Sequence, residues 1–196
     1  MTADSLPLFP LGTVLFPGGQ LTLRIFEARY LDLVRECSRS GQGFGVCLIL
    51  EGSEVGRPAV PADIGCEARI IDFSTAQDGL LVLSVQGGRR FRVRSTRVRQ
   101  DGLIIADVEW CEASAPQPVQ PEHQLLALLL RRTVERAGPP FDPVDKSRFD
   151  DSDWVGWRLA EWLPLSGPER QALLAEPDPY ARLQRLVELI PDVQAF

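Results

Sequence analysis

Residues 112–121, "EASAPQPVQP", hold three prolines and no helical or strand period, and they split the chain into halves that follow different rules. Before them, apolar residues recur mostly at every second position between turn dipeptides. After them, they recur at every third or fourth. A period of two buries one face of a strand, and a period near 3.6 buries one stripe of a helix. The chain is therefore predicted to be α+β, a β-rich half at residues 5–113 and a helical half at 121–192, joined by a Pro-rich linker.

The first block, "LFPLGTVLFPGG" (8–19), reads as a short strand at Thr13–Phe16 between turns. Pro10 cannot donate to a ladder, and Pro17-Gly18-Gly19 ends extended structure. Basic leader residues and an unbroken apolar run of about 7–15 residues, the marks of a secretory signal, are missing. Leu21–Ile25 alternates as a half-buried strand. Phe26, Tyr30, Leu33, Val34 and Cys37 then take helical spacing, and Ser40-Gly41 offers a stop. The run "FGVCLIL" (44–50) is apolar throughout and reads as a strand buried on both faces, followed by a loop over 51–63. Further strands are predicted at Cys66–Phe73, Leu80–Gln86, Arg90–Val98 and Leu103–Trp110, with turns at Asp78-Gly79 and Asp101-Gly102. Six or seven short strands at this spacing suggest a closed or nearly closed barrel with one inserted helix.

In the second half, Glu122–Ala137 is a helix with its stop at Gly138-Pro139-Pro140. Asp153 is placed to cap a helix over Trp154–Leu163. Ser166 starts another, to Ala175, and Asp178-Pro179 starts the last, where Leu183, Leu186, Val187 and Ile190 form an apolar stripe. With Trp154, Trp157 and Trp162, this half carries more apolar surface than four short helices bury among themselves, so the halves are expected to fold together.

The chemistry is sparse. A net charge of −6 and a pI near 4.9 oppose a dedicated nucleic-acid binder. Residues 1–111 hold 12 basic against 13 acidic groups and 112–196 hold 9 against 14, so the excess acid lies mainly in the helical half. No Gly-Lys dipeptide exists for a P-loop, and "GQGFG" (41–45) leads from helix to strand, the reverse of a dinucleotide fingerprint. His123 is the only histidine and Lys146 the only lysine; His123 reads as solvated surface. Cys37, Cys47, Cys66 and Cys111 are scattered among apolar neighbours and read as reduced, buried thiols. Glu27, Glu67, Asp72 and Asp107 read as solvated face. No catalytic residue, metal site or cofactor is expected. Arg89, Arg90, Arg92, Arg94, Arg97 and Arg99 crowd into eleven residues; a solvated face paired with acids explains them, and a surface for acidic peptide or nucleic acid is the rival.

"LPLFPLGTVLFPGG", "LTLRIFEARYLDLV", "FGVCLIL", "IGCEARI", "DGLLVLSVQGGRRFRV" and "WRLAEWLPLS" run in an order that resembles the Lon N-terminal domain, the substrate-recognition domain of ATP-dependent proteases. The resemblance spans about residues 5–192. It implies a PUA-like β-barrel with an inserted helix, followed by a C-terminal α-helical bundle. Ala28 stands where the family usually has Pro, and Cys66 where Thr is common. The sequence given ends at Phe196, so ATPase and Ser-Lys peptidase modules are not in it and no proteolysis is carried over; a stand-alone bacterial member is expected.

What the resemblance implies is a non-enzymatic module that binds unfolded or degron-bearing polypeptide, or serves as an adaptor to a protein partner. The candidate lining is Phe16, Pro17, Phe26, Arg29 and Tyr30, with Arg90 and Arg92 at the edge; Phe26 and Tyr30 also fit the buried stripe of the helix. The rivals are an RNA-binding PUA-like module and a small-molecule pocket in the barrel mouth. No membrane association is expected, and the expected compartment is the cytoplasm.

Overall fold

Alternating patterns become strands where they find a partner to pair with, and each strand of the first half has at least one. The computed structural model describes residues 4–137 and 145–190, and the chain divides after Glu112 into two compact units. In the first, β1 (Asp4–Leu11), β2 (Gln20–Ile25), β3 (Phe44–Glu51), β4 (Val60–Pro61), β5 (Ile64–Thr75), β6 (Leu81–Val98) and β7 (Ile104–Trp110) form one sheet, with α1 (Ala28–Ser40) inserted between β2 and β3. The order β1-β7-β6-β5-β3 closes on itself because β3 pairs back with β1 in parallel. This is the expected barrel. Among the described residues, β4 pairs with β3, and β2 pairs with β6 alone.

The first strand lies earlier than its sequence suggests. Thr13–Phe16 is not a strand; β1 precedes it and contains both Pro7 and Pro10. Pro7 stands in the stretch paired only with β7, and Pro10 in the stretch paired only with β3, so neither proline is asked to serve two ladders. Val14, Leu15 and Phe16 follow as buried coil. The strands expected at Leu80–Gln86 and Arg90–Val98 are one continuous β6. Gly87-Gly88 does not turn the chain. Gly87 exchanges backbone hydrogen bonds with Gly18 and Gly19, and a Cβ there would strike the Phe16 carbonyl. The glycine serves close approach.

One core packs Phe9, Leu33, Phe44, Val46, Leu83 and Val85 among others, and a second packs Leu8, Phe91, Ile104 and Val108. Residues 44–48 of β3 are buried on both faces, as expected. Helix α1 buries Tyr30, Leu33, Val34 and Cys37, and ends on Gly41 at φ +69°. Phe26 falls outside the helix and off its buried stripe.

The second unit begins with a 3-10 turn, Pro121–His123, running into α2 (Gln124–Ala137). The stop expected at Gly138-Pro139-Pro140 lies outside the described residues. Then come α3 (Ser152–Trp162), α4 (Gly167–Ala175) and α5 (Pro179–Leu189), with α3 packed on α5. Ser166 and Glu169 form a capping box, and Asp178 caps α5 by accepting from the Tyr180 N–H at 3.0 Å. The cap of α3 is Asp151, not Asp153. Asp153 instead accepts from Arg182 at 2.6 Å, and that arginine is 0% exposed, with its guanidinium also over the Trp157 ring. His123, read from the sequence as solvated, is buried, because the turn that carries it folds inward against α2 and α5. No disulfide joins the four cysteines; Cys111 is half-buried and the others are buried.

Candidate functional site

Where β1 ends and α1 begins, the barrel unit opens into a groove of about 300 Å³. Phe9 and Leu11 of β1 enter it, together with Leu21, Thr22, Leu23 and Arg24 of β2. Phe26 and Glu27 come from just before α1 and Tyr30 from its first turn, and Thr13 and Glu54 from loops. Its floor is aromatic: the Phe9 and Tyr30 rings stack at 3.9 Å and 16°, and Phe9 rests in turn on Phe44. Phe26 stands at the mouth, 55% exposed.

Charge rings the floor. The Arg29 guanidinium lies 4.7 Å from the Tyr30 ring centre, pairs with Glu27 at 3.0 Å and donates to the Gly102 carbonyl. Glu54 reaches back from the β3–β4 loop to accept from the Gly12 N–H at 2.6 Å. Burial first, then the Glu27 and Glu54 carboxylates, hold the Tyr30 phenol above its ordinary value against the opposing charge of Arg29. Arg24 is tied to Asp78. Among the described residues no cation pairs with Glu54, so the rim carries a net negative charge on that side.

Of the seven residues singled out from the sequence, Phe26 and Tyr30 line this groove. Arg29 backs Tyr30. Phe16 is 1% exposed, and Pro17 is half-buried at the turn after it. Arg90 is buried, and Arg92 is exposed on β6 opposite Ile64 and Glu109. Sequence reading missed Phe9, Leu21, Leu23 and Glu54. The first three look like ordinary core positions in an alternating pattern. Glu54 gives no local signal, since its partner Gly12 is 42 residues away.

A larger concavity, about 400 Å³, lies at the other end of α1 beside Glu36, Cys37, Arg97 and Arg99. Its charges are already matched. Arg97 pairs with Asp107 at 2.9 Å, and Arg99 with Glu36 and Asp101 at 3.0 and 2.6 Å. Arg94 pairs with Glu109, and Arg89 covers the Trp110 ring. The arginine-rich stretch is therefore largely a paired surface row. Two of the acids read as solvated depart from that: Glu67 is buried against Arg69, and Glu27 is half-buried against Arg29.

A family model described as the ATP-dependent protease La (LON) substrate-binding domain matches residues 5–192. A crystal structure of a Lon N-terminal domain protein from Xanthomonas campestris is similar at 49% identity and a TM-score of 0.82, covering 96% of this chain and 99% of that one. The N-terminal domain of the Mycobacterium avium complex Lon protease shares the fold, at 18% identity and a TM-score of 0.68, over 94% of this chain and 97% of that one. Lon protease 2 of Syntrophobacter fumaroxidans is 28% identical over 192 residues; the match takes in 93% of this chain and spans 24% of that relative's length.

Proposed function

The chain belongs to the Lon substrate-binding domain family, and from that premise we propose that it is a polypeptide-binding module whose contact surface is the groove at the head of α1. The family match concerns the substrate-binding domain and not ATPase or peptidase domains, so recognition rather than catalysis is the activity assigned. The ligand is a segment of unfolded or degron-bearing chain, held in the cytoplasm for a protease partner. The observation that carries this reading is Phe26, exposed at the mouth over the stacked Phe9 and Tyr30. Such a site gains affinity by desolvating an apolar side chain, at roughly 25 cal/mol per Å² of buried apolar surface.

Nucleic acid fits less well, because arginines 94, 97 and 99 are held by carboxylates. The test is capture of chemically unfolded casein by the whole chain, compared with capture of single-stranded RNA. Phe26→Ser is expected to weaken casein capture about tenfold, the loss of roughly one buried side chain, and to leave the fold intact, since Phe26 is exposed. Capture of casein that ignores Phe26, or salt-sensitive RNA binding in its place, refutes the proposal.

A further inference from the structure

We propose that the groove receives its ligand as an added β-strand along the free edge of β2, and that it selects extended apolar segments carrying a basic residue. This rests on the polypeptide-binding reading above and specifies what that polypeptide must be.

The lining shows the direction of approach. Leu21, Thr22, Leu23 and Arg24 are consecutive, and in a strand consecutive side chains point to opposite faces. Residues of both faces contribute to the lining, as they would for a cavity that runs along the strand's edge. That edge is open, because among the described residues β2 pairs over its whole length with β6 and with no other strand. In an antiparallel pair every second residue turns its N–H and C=O away from the partner. A ligand that supplies its own extended backbone satisfies those groups whatever its sequence.

Another open stretch of the sheet is treated differently. Past Ala68, β5 has only β6 beside it, and there the register breaks between Ile70 and Asp72. The Asp72 carboxylate accepts from the Phe73 N–H at 2.8 Å. A bulge and a side chain that occupies a backbone donor are devices that keep an edge from pairing. The register of β2 with β6 is unbroken, and "QLTLRI" contains no proline. That stretch of β5 is guarded, and the edge of β2 is left available.

The groove also sets the side chains it accepts. Successive residues of an added strand alternate, so one set meets Phe26 and the Phe9–Tyr30 floor. Glu54 spends one oxygen on Gly12 and has no paired cation among the described residues, which favours a Lys or Arg on the ligand.

The test uses the whole chain and a fluorescent nine-residue peptide that alternates Thr with Val or Phe and has Lys at each end. A second peptide carries N-methyl groups on alternate backbone amides, and a third has Glu in place of Lys. N-methylation is expected to weaken binding by about tenfold or more, since two or more backbone bonds of ~1 kcal/mol each are lost. The Glu peptide is expected to bind several-fold more weakly, and Glu54→Gln, which keeps the bond to Gly12, to erase that difference. Equal binding of the methylated peptide, with casein capture still dependent on Phe26, overturns strand addition and leaves the polypeptide reading standing. Casein capture indifferent to Phe26 overturns that reading itself. Equal binding of the Lys and Glu peptides overturns the basic preference. A dimer in sedimentation that the peptide dissociates places a second copy on this edge and overturns the choice of ligand.

Discussion

Arg94 and Arg97 of the barrel unit and Arg182 of the helical unit are placed differently. In the barrel, Arg94 and Arg97 lie on the outside of β6 and reach across to exposed carboxylates on β7, while both cores within are built from apolar side chains. In the helical unit a guanidinium is part of the interior. Arg182 is fully enclosed between Asp153, the Glu176 carbonyl and Trp157, and Gly156 leaves the space its stem occupies. The difference teaches where charge carries structure. An exposed pair gains little over hydrated ions, whereas a buried one has given up its water and depends on every partner.

The largest expected effect follows from that contrast. Arg182→Ala strands Asp153 and opens a cavity, and is expected to destabilise the helical unit by about 3–5 kcal/mol. Urea unfolding followed by far-UV circular dichroism measures it; a loss under about 1 kcal/mol would erase the contrast. Next is Gly87→Ala in the barrel, where the new methyl meets the Phe16 carbonyl. Overpacking of this kind is expected to cost about 1–3 kcal/mol, and wild-type stability would show that the backbones do not approach as described.

A third effect separates the units by pH. All four cysteines lie before Ala113. Burial, with Glu36 nearby, pushes the Cys37 thiol from 9.0 up to about 11, and burial pushes Cys47 up as well. The folded state favours the neutral thiol, so this contribution is intact below pH 9 and is lost as the pH rises towards 11. Melting of the barrel is expected to fall over that window, and Cys37→Ala is expected to flatten the fall. An unchanged slope in that variant would count against the burial of this thiol. The smallest effect is Arg94→Gln, expected to change stability by no more than about 1 kcal/mol in the same urea experiment.

Much of the architecture was readable from local chemistry. Gly41, Asp78-Gly79, Ser166 with Glu169 and Asp178-Pro179 mark element ends through backbone conformation or capping, and each lies where its residue type requires. The failures share a cause. Pro10 sits in a strand, Gly87 sits within one, and Arg182 and His123 lie inside because of partners far away in sequence. Composition cannot show which edge of a strand a proline faces, or that an arginine will meet an aspartate on another helix. The groove was half legible for the same reason. Phe26 and Tyr30 are among the candidate lining that the resemblance implies, but Glu54 comes to the groove from a loop whose partner, Gly12, is 42 residues away.

The closure of β1 on β7 also bears on how the chain leaves the ribosome. Asp4 and Trp110, 106 residues apart, are joined by a hydrogen bond from the indole N–H, and residues 4–8 pair along residues 104–108. Within the barrel unit β1 thus emerges well before β7 and waits for it. Contacts of such long sequence separation are slow to form, because the intervening loop must be closed before any pairing repays it. Until β7 is synthesised, the apolar run of β3 lacks its enclosure and is available to nascent-chain chaperones. A barrel proposed to bind unfolded chains is itself, until β7 is made, an unfolded chain.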